Sequence, residues 1–149
     1  MVTIGIDPDL TASGFAVVNG RTIEKLERVP FSGVLAWLDA NGGPAALNIK
    51  IEDPNLIAPT FPRSLPKAMN KQAVNNRISQ NVGQVKAVAT LLIETMTAAG
   101  YQVKPCRPLA GGHKSRCKKD AAYFNQLTGW TGRSNEDCRD AALIALYGG

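Results

Sequence analysis

The dipeptide Asn19-Gly20, set between two short apolar runs, constrains the fold of this chain more than any other feature. Asn-Gly is the preferred filling of a two-residue hairpin loop, because those residues accept the positive φ such loops require. The run before it, Phe15-Ala16-Val17-Val18, is therefore expected to pair antiparallel with a strand over about 21–28. Upstream, Val2-Thr3-Ile4-Gly5-Ile6-Asp7 alternates apolar with small or polar residues, as a strand does. Pro8 ends it, since proline cannot donate to a ladder, and Asp9–Gly14 turns the chain back. Three antiparallel strands from the N-terminus follow.

The remainder alternates helix and strand. Ser32 is placed to cap a short helix over 33–40, which Asn41-Gly42-Gly43-Pro44 stops. A fourth strand is expected over 46–52, with Leu47, Ile49 and Ile51 on one face and Asn48, Lys50 and Glu52 on the other. Pro54, Pro59, Pro62 and Pro66 exclude regular structure from 53 to about 70, and a long irregular segment of that kind is usually functional. The longest helix spans 72–99. Val74, Ile78, Val82, Val85, Ala89, Leu92 and Met96 form its apolar stripe, and Val88 and Ile93 widen it enough to suggest contact with a second copy. A fifth strand over 101–106 arrives parallel by that crossover. After a Gly111-Gly112 loop, a helix over 118–128 and a last one over 136–147, capped by Asn135, complete the chain. The expectation is a single α/β domain over 1–149, with a mixed five-stranded sheet and helices on both faces.

Its 149 residues can bury a real core, and three cysteines suit a reducing, cytoplasmic setting. No apolar run approaches a membrane span, and the first residues do not look like a signal peptide. The net charge of +5 is unevenly placed. Between Arg63 and Lys119 eleven basic residues accompany one acid, Glu94, so the middle carries +10 and the flanks −5. A polyanionic partner accounts for that segregation better than a solvated face does.

Against this basic background stand acids at three distant points. Asp7 ends the first strand, Glu52 ends the fourth, and Asp137 and Asp140 lie three apart on the last helix. Asp7 and Glu52 emerge together if their strands run side by side, at the carboxyl edge where open α/β sheets place their sites. Four such carboxylates would repel one another unless cations neutralised them. Two Mg²⁺ ions about 4 Å apart would do so, and would clamp a phosphodiester between attacking water and leaving oxygen. No side-chain nucleophile has a convincing partner. A zinc site from Cys106, His113 and Cys117 has an unfamiliar spacing.

Four segments together resemble the RuvC-like Holliday junction resolvases of the RNase H-like (retroviral integrase) superfamily. They are Ile4-Gly5-Ile6-Asp7-Pro8 with Ser13-Gly14-Phe15-Ala16-Val17; Ile51-Glu52; Asn81-Val82-Gly83-Gln84-Val85-Lys86; and Asp137-Cys138-Arg139-Asp140-Ala141-Ala142-Leu143-Ile144-Ala145. The resemblance implies an RNase H-like fold and a homodimer, paired through the helix over 72–99, that nicks four-way DNA junctions symmetrically. It implies two Mg²⁺ per site, with Mn²⁺ able to substitute, held by Asp7, Glu52, Asp137 and Asp140. Of the basic residues after the fifth strand, Lys118 and Lys119 are then the catalytic candidates. Lys71, Arg77, Lys86, Arg107, Lys114 and Arg116 are candidates for DNA contact. Bacterial members usually carry an aromatic three residues after the strand-four glutamate; Asn55 stands there, and Phe61 is the candidate to stack instead. A catalytically silent RNase H-like module that binds branched DNA is the alternative. An actin-like ATPase would need a second domain.

Overall fold

The structure is a computed structural model that describes residues 2–57 and 71–149, the side chains of 71–80 excepted. Its elements are β1 Val2–Asp7, β2 Ser13–Asn19, β3 Thr22–Val29, α1 Val34–Ala40, β4 Leu47–Glu52, α2 Lys71–Ala98, β5 Gln102–Cys106, α3 Gly112–Lys119, α4 Ala121–Thr128 and α5 Glu136–Tyr147. The sheet order is β3-β2-β1-β4-β5. β1, β2 and β3 pair antiparallel, while β4 runs parallel to β1 and β5 parallel to β4. This is the mixed sheet that the sequence pattern predicts.

Strand parity divides the core between two faces. Ile4, Ile6, Phe15, Val17, Leu47, Ile49 and Ile51 point to one side, against Leu38 of α1 and Val88, Leu92 and Met96 of α2. Ala16 and Val18 point to the other, against Ala141, Ala142, Leu143 and Ala145 of α5 and Phe124 of α4. The second face is built of small side chains for a reason. A Cβ on Gly5 would collide with the Ala141 carbonyl, and one on Gly14 with that of Asp137. Glycine at these two positions lets α5 lie directly on β1 and β2, bringing its first turn to the end of β1.

Three local expectations are corrected. The hairpin loop is Gly20-Arg21 rather than Asn19-Gly20: Asn19 pairs with Thr22, and Gly20 alone takes positive φ. Ser32 makes no cap, because it lies inside a 3₁₀ turn over Phe31–Gly33 that precedes α1. The single helix expected over 118–128 is two. Gly111-Gly112 opens α3, and Asp120 breaks the run with extended backbone and caps α4 by accepting from the Tyr123 N–H at 3.0 Å. Lys118 and Lys119 therefore end a helix instead of starting one. Phe61 lies outside the described residues, as do the side chains of Lys71 and Arg77.

Candidate active site

Parity and register deliver the first two carboxylates. On β1, Ile4 and Ile6 face α2, so Gly5 and Asp7 face α5. On β4, the same alternation sends Asn48, Lys50 and Glu52 to the α5 side, where Lys50 Nζ donates to the Gly148 carbonyl at 2.9 Å. The parallel register pairs Ile6 with Ile51, which sets Asp7 and Glu52 abreast at the carboxyl ends of adjacent strands. Their carboxyls share a hydrogen bond.

The helix supplies the rest. Asn135 accepts from the Cys138 N–H at 2.9 Å and fixes where α5 begins, so Asp137 falls in its first turn and Asp140 one turn further along. Asp140 is only 7% exposed, and its Oδ1 is buried with no hydrogen-bond partner. An unpaired buried carboxylate oxygen is costly, and native proteins seldom keep one without a use.

The electrostatics confirm that these groups feel one another. Burial, the hydrogen bond to Glu52 and the charges of Glu52, Asp140 and Asp137 push Asp7 up to about 10. Burial alone would raise Glu52 as well, but hydrogen bonds from Asp7 and Lys114 and the Lys114 charge more than offset it, so it falls. The two carboxyls are thus pushed in opposite directions, Asp7 up and Glu52 down. Asp140 is raised by burial and by Glu52, against the pull of Lys114 and Lys118. Asp137 is raised by burial and by Asp9.

Cations stand on both flanks. On the α3 side Lys114 Nζ donates to Glu52 Oε1 at 2.8 Å, and Lys118, one turn along the same helix face, acts on both Glu52 and Asp140. Lys114 is thus the basic residue in contact with the carboxylates; Lys118 is near them, while Lys119, Arg107 and Arg116 are exposed. Arg116 lies over the Tyr123 ring at 4.0 Å, and Lys86 is half-buried on α2. On the opposite side Arg28 of β3 reaches Asp137 at 3.5 Å and Asp9 at 3.9 Å.

Arg28 and Arg139 are the residues that sequence reasoning missed. Arg139 is buried in α5 and donates to the carbonyls of Cys117, Lys118 and Ser134 and to Ser134 Oγ, at 2.8 to 3.0 Å. It satisfies the carbonyls at the end of α3 that the helix cannot, and so holds the lysine-bearing helix against α5. The one available signal was its position: an arginine four residues after the Asn135 N-cap, in a run that otherwise packs, needs buried partners. Asn55 is likewise occupied. Its amide nitrogen donates to Asp53 Oδ1, the Lys86 carbonyl and Thr90 Oγ1, tying the end of β4 to α2.

The donor set suits a hard divalent cation, being all carboxylate oxygen with one buried oxygen unclaimed. Among the described residues no group of three or more His, Cys, Asp or Glu side chains stands in an array ready to hold an ion. Lys114 occupies Glu52 Oε1, one of the oxygens such an array would need. The zinc alternative has no geometric basis: Cys106 packs by Gly148, Cys117 lies in the core between α3 and α5, and His113 is bonded to Tyr123.

A mixed sheet ordered β3-β2-β1-β4-β5 with helices packed on its faces is an RNase H-like fold. Among solved structures, the chain is similar to Thermus thermophilus RuvC, with a TM-score of 0.55 and 18% identity over 98% of this chain and 92% of that one. It is also similar to T. thermophilus RuvC in complex with a Holliday junction substrate, with a TM-score of 0.53 and 18% identity over 98% and 90% of the two chains. The fold is RuvC-like. No family model matches the chain, and no curated protein matches it in sequence.

Proposed function

We propose that this protein is a Mg²⁺-dependent endonuclease that resolves Holliday junctions and related branched DNA, working as a homodimer that nicks two strands symmetrically. The observation that carries this reading is the buried, unpartnered Asp140 Oδ1 on α5, with Asp7 and Glu52 abreast at the ends of neighbouring strands, within a RuvC-like fold. Asp7, Glu52 and Asp140 would hold the divalent ions, with Asp137 completing the set; Mn²⁺ would substitute. The ions would supply the charge stabilisation and activated water that phosphodiester hydrolysis needs at neutral pH.

The chain's own residues have distinct tasks. Asp7 would hold the ions as a carboxylate. Lys114, released from Glu52, is free to take a phosphate oxygen of the scissile strand, and Lys118 beside it adds positive potential. Lys86, Arg107, Arg116 and Lys119, with Lys71 and Arg77, would serve DNA contacts further out. Pairing between copies would run through the outer face of α2, where Leu91 is exposed. With Asn55 engaged internally, Phe61 is left as the candidate to stack at the junction centre.

The test is direct. Purified protein with Mg²⁺ should nick synthetic four-way junctions, and Asp7→Asn should stop nicking while leaving junction binding intact. Equal cutting of plain duplex would remove the resolvase label and keep the nuclease one. A second reading has one observation in its favour. Lysine on Glu52 and arginine on Asp137 already compensate two of the four acids. A catalytically silent branched-DNA-binding module would keep such pairs. A junction gel shift without metal-dependent cleavage would select that reading.

A further inference from the structure

Beside the carboxylates, and sharing a side chain with them, is a cleft that the proposed reaction does not use. Its cavity of about 300 Å³ is walled by Leu109, Ala110, Leu127, Leu143 and Tyr147. His113 and Lys114 complete the lining. Lys114 is the same lysine that bonds Glu52 at 2.8 Å, so the cleft opens one side chain away from the candidate active site. Its volume lies at the lower end for ligand pockets, about 300 Å³ upward, enough for one planar heterocycle and little more.

The walls have the character of a base pocket. Apolar side chains and an aromatic ring supply flat, dry contact, and His113 adds a second ring whose plane is held. Its Nδ1 is hydrogen-bonded to the Tyr123 hydroxyl, and the two rings lie parallel, 6.0 Å apart. Arg116 covers Tyr123 and holds that ring in turn. Lys114 stands at the edge of the pocket, where, once released from Glu52, it would meet a nucleotide's phosphate.

We infer that this cleft receives a nucleobase of the cleaved strand, turned out of the stack next to the scissile phosphate. The inference rests on the nuclease reading above and adds a specificity pocket to it. A phosphate held by Lys114 at the carboxylates leaves its neighbouring base within reach of the cleft. At a branch point that base has already lost part of its stacking, which lowers the cost of extruding it. The pocket would then read base size and shape and bias where along the strand the nick falls.

A cycle between the base and the pocket tests this. Junctions carry a single abasic site, placed in turn at each of the two nucleotides on either side of the cleaved bond. They are cut by the wild-type protein, by Ala110→Trp, which fills the cleft from its exposed rim, and by Tyr147→Ala, which removes one wall. At one position the abasic site should lower wild-type kcat/KM about tenfold, the scale of one stacked base. Ala110→Trp should impose a similar loss on the intact junction, and the abasic site should add nothing further to it. Tyr147→Ala should shrink the abasic penalty. Penalties that multiply independently in both variants, or no penalty at any position, would overturn the pocket while the nuclease reading stands. A protein that neither binds nor cuts junctions would overturn both.

Discussion

The two faces of the sheet are built to different rules. Toward α1 and α2 the contacts are Ile, Leu, Val, Phe and Met, large side chains that keep the helices at a normal distance. Toward α5 they are Gly5, Gly14, Ala16, Ala141, Ala142 and Ala145, and the helix backbone comes down onto the strands. The first face buries most of the aliphatic mass. The second gives up side-chain volume for proximity, and proximity sets Asp140 beside Asp7 and Glu52. On β1 and β4 the charged groups follow the same division: Asp7, Glu52 and Lys50 leave the sheet on the α5 side. Most of the aliphatic bulk and the carboxylate cluster thus lie on opposite sides of one sheet.

Asp140→Asn should lower junction nicking at least about a hundredfold, beyond what outer supports of a metal ligand usually cost, while junction affinity is kept. Unchanged nicking would separate Asp140 from the chemistry. Gly5→Val should fail to reach the native fold, because the new side chain meets helix backbone that cannot move aside without carrying α5 off the sheet. A native circular dichroism spectrum with normal melting would show that α5 does not depend on that close approach. On the other face, Leu92→Ala should cost about 2–5 kcal/mol in denaturant unfolding, yet leave nicking below the melting temperature unaltered. If nicking fell as steeply as for Asp140→Asn, the division of labour would be wrong.

The carboxylate cluster also predicts a pH dependence in chelator. The folded-state value of Asp7 is raised from 3.8 to about 10, so its protonated form favours the fold. That contribution is complete below the unfolded value and is lost as pH rises through the folded one. Asp137 and Asp140 are raised and act in the same direction. Glu52 is lowered, and its opposite contribution is already complete above its unfolded value. Melting temperature without divalent ions should therefore fall between about pH 5 and about pH 9, and Asp7→Asn should flatten the slope. A wild-type curve that is flat or rises across that range would contradict the raised Asp7. Arg28→Met should have the least effect on stability. Its ion pairs with Asp9 and Asp137 are partly exposed and worth about 0–1 kcal/mol in thermal unfolding.

Much of this architecture is written locally. Alternation marks the strands, their parity alone assigns Asp7 and Glu52 to one side, and Asn135 announces the start of α5. Two elements were misplaced for local reasons too. Gly111-Gly112 carries the signature of a loop but opens α3, and Asp120, a good N-cap, lay unnoticed inside what read as one helix. What could not be read is long-range pairing. Lys114 meets Glu52 across 62 positions in the chain, and Arg139 reaches back 21 and 22 positions to the end of α3. Nothing in composition or periodicity distinguishes Lys114 from Lys118 or Lys119. Only the fold brings it into contact with the acids. The unpaired oxygen of Asp140 is a property of its surroundings and has no signal in its own segment.

The account rests on carboxylates from β1, β4 and α5 sharing divalent cations. Anomalous diffraction from a crystal soaked in Mn²⁺ measures that most directly. Peaks should lie between Asp7, Glu52 and Asp140, with Lys114 moved off Glu52, and they should vanish in Asp7→Asn. Density that leaves Lys114 on Glu52 with no peak among the acids, at saturating Mn²⁺, would contradict it.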